Sequence, residues 1–288
     1  MTAPQPITAL SEIADLYDVL LCDVWGVIHN GRESFPAACA ALERFAASRG
    51  PVVLISNAPR PSSDVHAQLD ALGVSRHAWT AFVSSGDATR ALLAARAPGP
   101  AWAIGPDRDW RLYEGLGLEF TGPDAAAFIS CTGPVDDDRE TPEDYRERLA
   151  ACAARGLEMI CANPDKVVQR GDKLIYCGGA LADLYAALGG PVLMAGKPFA
   201  PIYDLALAEA AKRLGAPVDR ARVLCIGDGV ATDVLGAMDQ KLDCIFIAAG
   251  IHGDRAIGPD GRLDPAHVAP LLAPERGAAR FVAASLVW

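Results

Sequence analysis

The chain has 288 residues, 51% of them hydrophobic, and carries 26 Lys and Arg against 36 Asp and Glu for a formal net charge of −10. That composition excludes a disordered or low-complexity chain, and the acidic balance argues against a nucleic-acid surface or an anionic membrane face. Residues 1–6 hold neither a basic segment nor an apolar stretch, and no window approaches the roughly 18 uncharged apolar residues of a membrane span, so a cytoplasmic protein is expected.

Short β-rich apolar runs alternate with helical periodicity along the chain. In order, the patterns predict a strand over 18–22, a helix over 36–49, a strand over 51–55 and helices over 62–72 and 87–96. Strands at 101–105 and 126–130 follow, then a helix over 142–155, a strand over 157–161, a helix over 179–188 and a strand over 191–195. The last elements are a helix over 201–214 and strands over 222–226 and 243–248. The helix at 62–72 shows the logic: Ser62 or Ser63 caps it, Val65, Leu69 and Leu72 share a face, and Gly73 supplies a left-handed stop. Gly50, Gly117, Gly156 and Gly215 are read as similar stops.

Repeated strand, helix and glycine units imply right-handed crossovers and an α/β fold, a doubly wound parallel sheet covered on both faces. Pro98-Gly99-Pro100 breaks the pattern, and about 50 residues separate Lys197 from an acidic stretch containing Asp136, Asp137 and Asp138, read as a solvated loop in preference to a cation site. A second α/β unit is therefore expected at 99–190, inserted as a cap into a core made of 1–98 and 191–288. The eight cysteines include no Cys-x-x-Cys, and Cys22, Cys161, Cys225 and Cys244 lie in apolar runs, so they read as reduced core thiols.

Ligands of such sheets sit beyond the carboxyl ends of the strands. Four of those ends are unusually polar. Asp23, before Gly26, offers a carboxylate that can act as a nucleophile or a metal ligand. Ser56 and Asn57 offer a hydroxyl, an amide and backbone N–H groups suited to a phosphoryl dianion. Lys197, between Gly196 and Pro198, projects an ammonium from a constrained loop. Asp228 and Asp233 form an acidic pair that suits an oxygen-ligated cation such as Mg2+.

In this order the segments LLCDVWGVIHNG, LISNAPR, MAGKP and IGDGVATD resemble the four motifs of the haloacid dehalogenase (HAD) superfamily. ICANPDK and YCGGALADL are similar to cap segments of its class IIA branch, the nucleotidase-like and pyridoxal-phosphatase-like relatives. The resemblance implies a Mg2+-dependent phosphatase of a small phosphorylated metabolite, working through an aspartyl-phosphate on Asp23. It implies Mg2+ held by Asp23, the Trp25 backbone carbonyl and Asp228, with Asp233 in support. Ser56, Asn57 and Lys197 would hold the transferring phosphoryl group, and the cap residues Asn163 and Asp165 would select the substrate. Dimerisation through the cap, with Trp102, Trp110 and Tyr113 contributing, is a further expectation against the alternative of packing within the cap.

One position departs from the pattern. Family phosphatases carry a second aspartate two residues after the nucleophile, where it protonates the leaving oxygen and later activates water; here that residue is Trp25. An indole N–H donates a hydrogen bond but exchanges no proton near neutral pH. Loss of a general acid and base typically costs about 10^2 to 10^4 in rate, so slow turnover of alkyl phosphates is expected, with acidic leaving groups affected less. His29 on the same loop is the nearest titratable replacement, or else a loop histidine with a local hydrogen bond. Phosphonate cleavage would need a Schiff-base lysine, for which Lys166 and Lys173 are the candidates, both otherwise surface lysines. The alternative to an enzyme is a weakly active or non-catalytic phosphometabolite-binding protein.

Overall fold

In the computed structural model, which describes residues 4–170, 173–250, 256–258, 263, 265–272 and 278–288, the apolar runs become strands and the amphipathic segments become helices. The strands are β1 (Gln5–Pro6), β2 (Val19–Asp23), β3 (Val52–Ser56), β4 (Ala81–Ser84), β5 (Ala101–Ile104), β6 (Phe128–Cys131), β7 (Glu158–Cys161), β8 (Val167–Arg170), β9 (Lys173–Tyr176), β10 (Val192–Met194), β11 (Val223–Gly227), β12 (Asp243–Ile247) and β13 (Phe281–Ala283). The helices are α1 (Pro36–Ser48), α2 (Ser62–Ala71), α3 (Ser85–Ala94), α4 (Arg146–Ala154), α5 (Gly178–Ala187), α6 (Ala200–Leu214), α7 (Leu235–Asp239) and α8 (Pro265–Leu271). Among the described residues no helix is long and apolar enough to cross a membrane.

The chain divides into two units, one of Met1–Ser56, Ser63–Val83 and Lys197–Trp288, the other of Asn57–Ser62 and Ser84–Gly196. The first is built on a seven-stranded sheet in the order β1-β13-β12-β11-β2-β3-β4. Pairings from β1 through β3 are parallel. β2 and β11 are continuous buried runs of Val, Leu, Ile and Cys, as strands covered on both faces require. α1 and α6 pack against β3, and Phe45, Tyr203, Phe246 and Phe281 fill the core. Succession runs β2, β3, β4 in one direction and β11, β12, β13 in the other, so the strand order reverses between β2 and β11. That reversal is where open α/β sheets hold their ligands.

The second unit has its own parallel sheet, β10-β7-β6-β5, and an antiparallel hairpin of β8 and β9. Strand alternation sorts its core into two faces. Trp102, Ile104, Ile129, Met159, Leu181 and Tyr185 pack on one, and Ala101, Phe128, Ile160, Leu112 and Leu93 on the other. This unit is wider than the 99–190 span expected. The Pro98-Gly99-Pro100 break falls inside it, after α3, and β10 registers Val192 with Met159 of β7 instead of joining the larger sheet.

Two local readings are corrected. Gly50 is not a left-handed stop: α1 closes at Arg49, with φ −124°, and Gly50 lets the backbone approach the Asp18 carbonyl, which a Cβ would strike. The acidic stretch is not wholly solvated, because Asp137 pairs with Arg108. Gly215 does close α6 in the left-handed region, at φ +68°. All eight cysteines are buried and free.

Candidate active site

Within the first unit, Ile226 of β11 registers with Cys22 of β2, and Asp23 of β2 with Ile55 of β3. The next residues on the three strands are therefore neighbours at one sheet edge: Asp23, Ser56 and the Gly227-Asp228 turn. After Gly229 the chain makes a π-helical turn, Val230–Val234, before α7. Such turns recur at functional sites because they re-aim one side chain, and here the residue turned back toward the strand is Asp233. Gly227 permits this, since a Cβ there would meet the Asp233 carboxyl carbon.

Lys197 is 2% exposed and joins the cluster from a segment 174 positions further along than Asp23. Its Nζ donates to Asp23 Oδ1 at 2.5 Å and to Asp233 Oδ1 at 2.7 Å. Asp233 Oδ2 accepts from the Gly229 N–H at 3.1 Å and the Thr232 hydroxyl at 3.2 Å. Carboxylate oxygens of Asp23, Asp228 and Asp233, all buried, lie within 4.8 Å of one another. Burial pushes the Asp23 carboxyl well above its ordinary range; the Lys197 charge opposes this, while Asp233 and Asp228 add to it. Burial would lower Lys197, yet Asp23 and Asp233 together hold it above its ordinary value, so it stays an ammonium.

Three buried carboxyl groups gathered around one ammonium present an oxygen-only donor set. Such donors fit a hard divalent cation. The backbone around them is correspondingly bare: a Cβ at Gly26, whose φ is +82°, or at Gly250 would collide with the Asp228 carboxylate. Gly26 was noted in the sequence as the turn beneath Asp23; Gly250 and Thr232 were not singled out. The spacing of Gly227, Gly229 and Thr232 between two aspartates was the available signal for the last of them.

Trp25 is 59% exposed. Its ring packs edge-on to His29, with centroids 5.3 Å apart, and over Gly31, where φ is +84° and a Cβ would strike the six-membered ring. His29 is buried, and its Nδ1 accepts the Gly31 N–H at 2.9 Å. Burial lowers its pKa, favouring the neutral imidazole. His29 thus has the local hydrogen bond that argued against its being a substitute acid.

Asn57 falls in the second unit, where its amide donates to Asp165 Oδ1 at 3.3 Å. Asn163 Oδ1 accepts the Asp165 N–H at 3.1 Å, which ties the NPD turn together. Lys166 is exposed and paired with Asp183 at 2.5 Å; the Lys173 side chain lies outside the described residues. Trp102 is core, Tyr113 is buried with its hydroxyl 3.0 Å from Ser130 Oγ, and Trp110 is exposed beside Tyr113 and Phe120.

Residues 20–119 match the haloacid dehalogenase-like hydrolase model, and residues 194–274 match a second, HAD-hydrolase-like model. A crystal structure of a haloacid dehalogenase-like family hydrolase from Brucella suis 1330 is 44% identical, with a TM-score of 0.82, over 98% of this chain and 100% of that one. The 5'-nucleotidase YutF of Bacillus subtilis is 23% identical over 82% of this chain and 88% of its own length. The ribonucleotide monophosphatase NagD of Escherichia coli K12 is 25% identical over 81% and 88%. With the 44% identical Brucella suis relative covering nearly the whole chain, and residues 20–119 and 194–274 each matching a family model, the chain belongs to the haloacid dehalogenase-like family of hydrolases, in its class IIA branch.

Proposed function

We propose that this hydrolase is a phosphatase that removes the phosphoryl group of a small metabolite monoester through an aspartyl-phosphate on Asp23. The observation that carries the reading is Lys197, buried and hydrogen-bonded to Asp23 and Asp233 beside Asp228, at the point where the strand order reverses. Asp23, the Trp25 carbonyl and Asp228 would hold Mg2+, with Asp233 supporting the set. When bound, the cation offsets charge on the equatorial phosphoryl oxygens and orients the group.

One Asp23 oxygen attacks phosphorus as the bond to the leaving oxygen breaks. Lys197, Ser56 and Asn57 hold the phosphoryl oxygens in line, so catalysis is chiefly positioning and electrostatics. A water then attacks the same phosphorus, releasing inorganic phosphate and restoring Asp23. Both proton transfers are left to solvent, because Trp25, at the position of the usual second aspartate, has no titratable proton near neutral pH. Aryl and acyl phosphates, whose leaving groups need no proton, are the favoured model substrates.

The test is hydrolysis of 4-nitrophenyl phosphate by the wild type and Asp23→Asn, each with Mg2+ and with chelator. Activity that requires both, falling at least about a thousandfold without the nucleophile, is expected. The exposed Trp25 favours one second reading, a phosphometabolite-binding protein of low turnover. Tight substrate binding by the wild type, together with a rise in turnover in Trp25→Asp, would select it.

A further inference from the structure

Trp25 is the most exposed large apolar side chain among the described residues, yet its loop is tightly built. Between β2 and α1 the Ile28 N–H donates to the Val24 carbonyl at 3.0 Å, the Gly26 N–H to the His29 carbonyl at 2.8 Å and the Phe35 N–H to the Ile28 carbonyl at 2.8 Å. Asn30 Oδ1 accepts the Arg32 and Glu33 N–H groups, both at 3.0 Å. Val24, Val27 and Ile28 are buried and anchor the loop in the core. The indole has one flank occupied, by His29 and Gly31, and more than half of its residue surface open.

Solitary exposed apolar residues are ordinary on a protein surface. What distinguishes this one is where its backbone lies. Gly26, the next residue, sits so close to Asp228 that a Cβ would overlap the carboxylate, so the Trp25–Gly26 peptide borders the acidic cluster within the first unit. A tryptophan has only two side-chain torsions, and neighbours that fix them leave little freedom to lose when a flat ligand group lies against the ring.

In-line displacement sends the leaving group away from the attacking Asp23 oxygen. Asp23, Lys197, Asp228 and Asp233 are all buried, so that direction is outward, past the loop after β2. Two separate properties of position 25 then select the same chemistry. With no titratable proton there, the leaving group has to depart as a stable anion. With a fixed indole there, a flat ring gains contact that a small or non-planar group does not. A phenolate satisfies both conditions, the carboxylate released from an acyl phosphate only the first, and an alkoxide neither.

We propose that the Trp25 side chain determines specificity, as a stacking platform for the aromatic ring of a phenolic phosphate monoester. This deepens the phosphatase reading and rests on it. The indole takes no part in the bond changes and acts on binding, and His29 and Gly31 are positioning residues that hold it.

The test compares kcat/KM for 4-nitrophenyl phosphate with that for acetyl phosphate in the wild type, Trp25→Phe and Trp25→Leu, with Mg2+ present. Neither leaving group needs a proton, so the ratio separates the ring from the missing acid. It should fall about tenfold in Trp25→Leu, chiefly through a higher KM for the aryl ester, and stay within about threefold of wild type in Trp25→Phe, which keeps a flat face. A ratio unchanged in Trp25→Leu overturns the proposal, and so does a loss confined to kcat. Calorimetric titration with phenylphosphonate and methylphosphonate, which share a headgroup, adds a measurement independent of turnover: the phenyl compound should bind the wild type about tenfold tighter, and Trp25→Leu should lose that preference. Failure of the phosphatase reading shows separately, as no turnover of either phosphate. The titration then decides alone: a phenyl preference lost in Trp25→Leu supports the platform, and equal affinities in the wild type overturn it.

Discussion

Lys197 concentrates the electrostatic cost of the first unit in one side chain. Removing one partner of a buried ion pair leaves the other charge stranded, and here two carboxylates lose the same ammonium. Lys197→Met should lower stability by about 3–5 kcal/mol, read as a shift of the urea midpoint at unchanged slope. An unchanged midpoint would mean that Lys197 does not hold the cluster together. Gly31 tests a different residue-level claim. A side chain at φ +84° costs about 1–2 kcal/mol, and a methyl there must also displace the Trp25 ring. Gly31→Ala should therefore both destabilise the fold and change the tryptophan emission. An emission spectrum unaltered in the folded variant would show that the indole does not lie on that glycine. Each of these residues was visible in the sequence as a type, but its role depends on neighbours distant along the chain.

Among elements, β2 and β11 are tied at their entry as well as at their chemical end. Arg222 donates two hydrogen bonds to Asp18, at 2.5 and 2.7 Å, just before each strand begins. Those hydrogen bonds hold the Asp18 carboxyl below its ordinary range, against a smaller opposing effect of burial. The folded pKa lies below the unfolded one, so the pair stabilises fully above the unfolded carboxylate pKa of about 3.9. That contribution is lost as pH falls through the folded pKa. Both side chains are partly exposed, which limits the effect to about 1 kcal/mol or less. The stability gap between wild type and Asp18→Asn should then be open at pH 7 and close progressively on acidification below about pH 4; a gap constant with pH would refute the assignment.

The central strands were legible from their apolar runs to within two residues. β4 and β13 were not read, although they are no shorter than β5 and β10, which were. The hairpin of β8 and β9 also escaped. Its two strands pair only with each other, so no neighbouring strand marks them as part of a larger sheet. At the site, the residue types of Asp23, Ser56, Lys197, Asp228 and Asp233 were readable from strand ends. The lysine's division between two carboxylates was not, since it depends on the π-helical turn at Val230–Val234. Nor was the Asn57 amide's contact with Asp165, 108 positions away.

At the scale of the molecule, a divalent cation held by the acidic cluster should stabilise the folded chain by mass action. Mg2+ at about 100 times its dissociation constant adds about 2.7 kcal/mol, so the thermal midpoint should rise with Mg2+ in the wild type and far less in Asp228→Asn. Equal shifts in both would place the binding elsewhere. The second unit's separate two-faced core leads to another expectation. A fragment of residues 84–196 should retain cooperative thermal unfolding, and a broad, non-cooperative melt would contradict its independence.

The reversal of strand order between β2 and β11 also bears on synthesis. β2 is made early, yet its hydrogen-bonded neighbour on one side belongs to a segment roughly 200 residues later. At about 5–20 residues per second, the emerging chain carries that side of β2 unpaired for roughly 10–40 s. During that interval residues 84–196 can complete their own sheet, whereas an apolar run of Val, Leu and Cys waits with open backbone groups, the kind of edge that pairs with other chains. Nascent chains arrested before β11 should thus be the aggregation-prone species and the ones that engage chaperones, while those arrested after β12 should not.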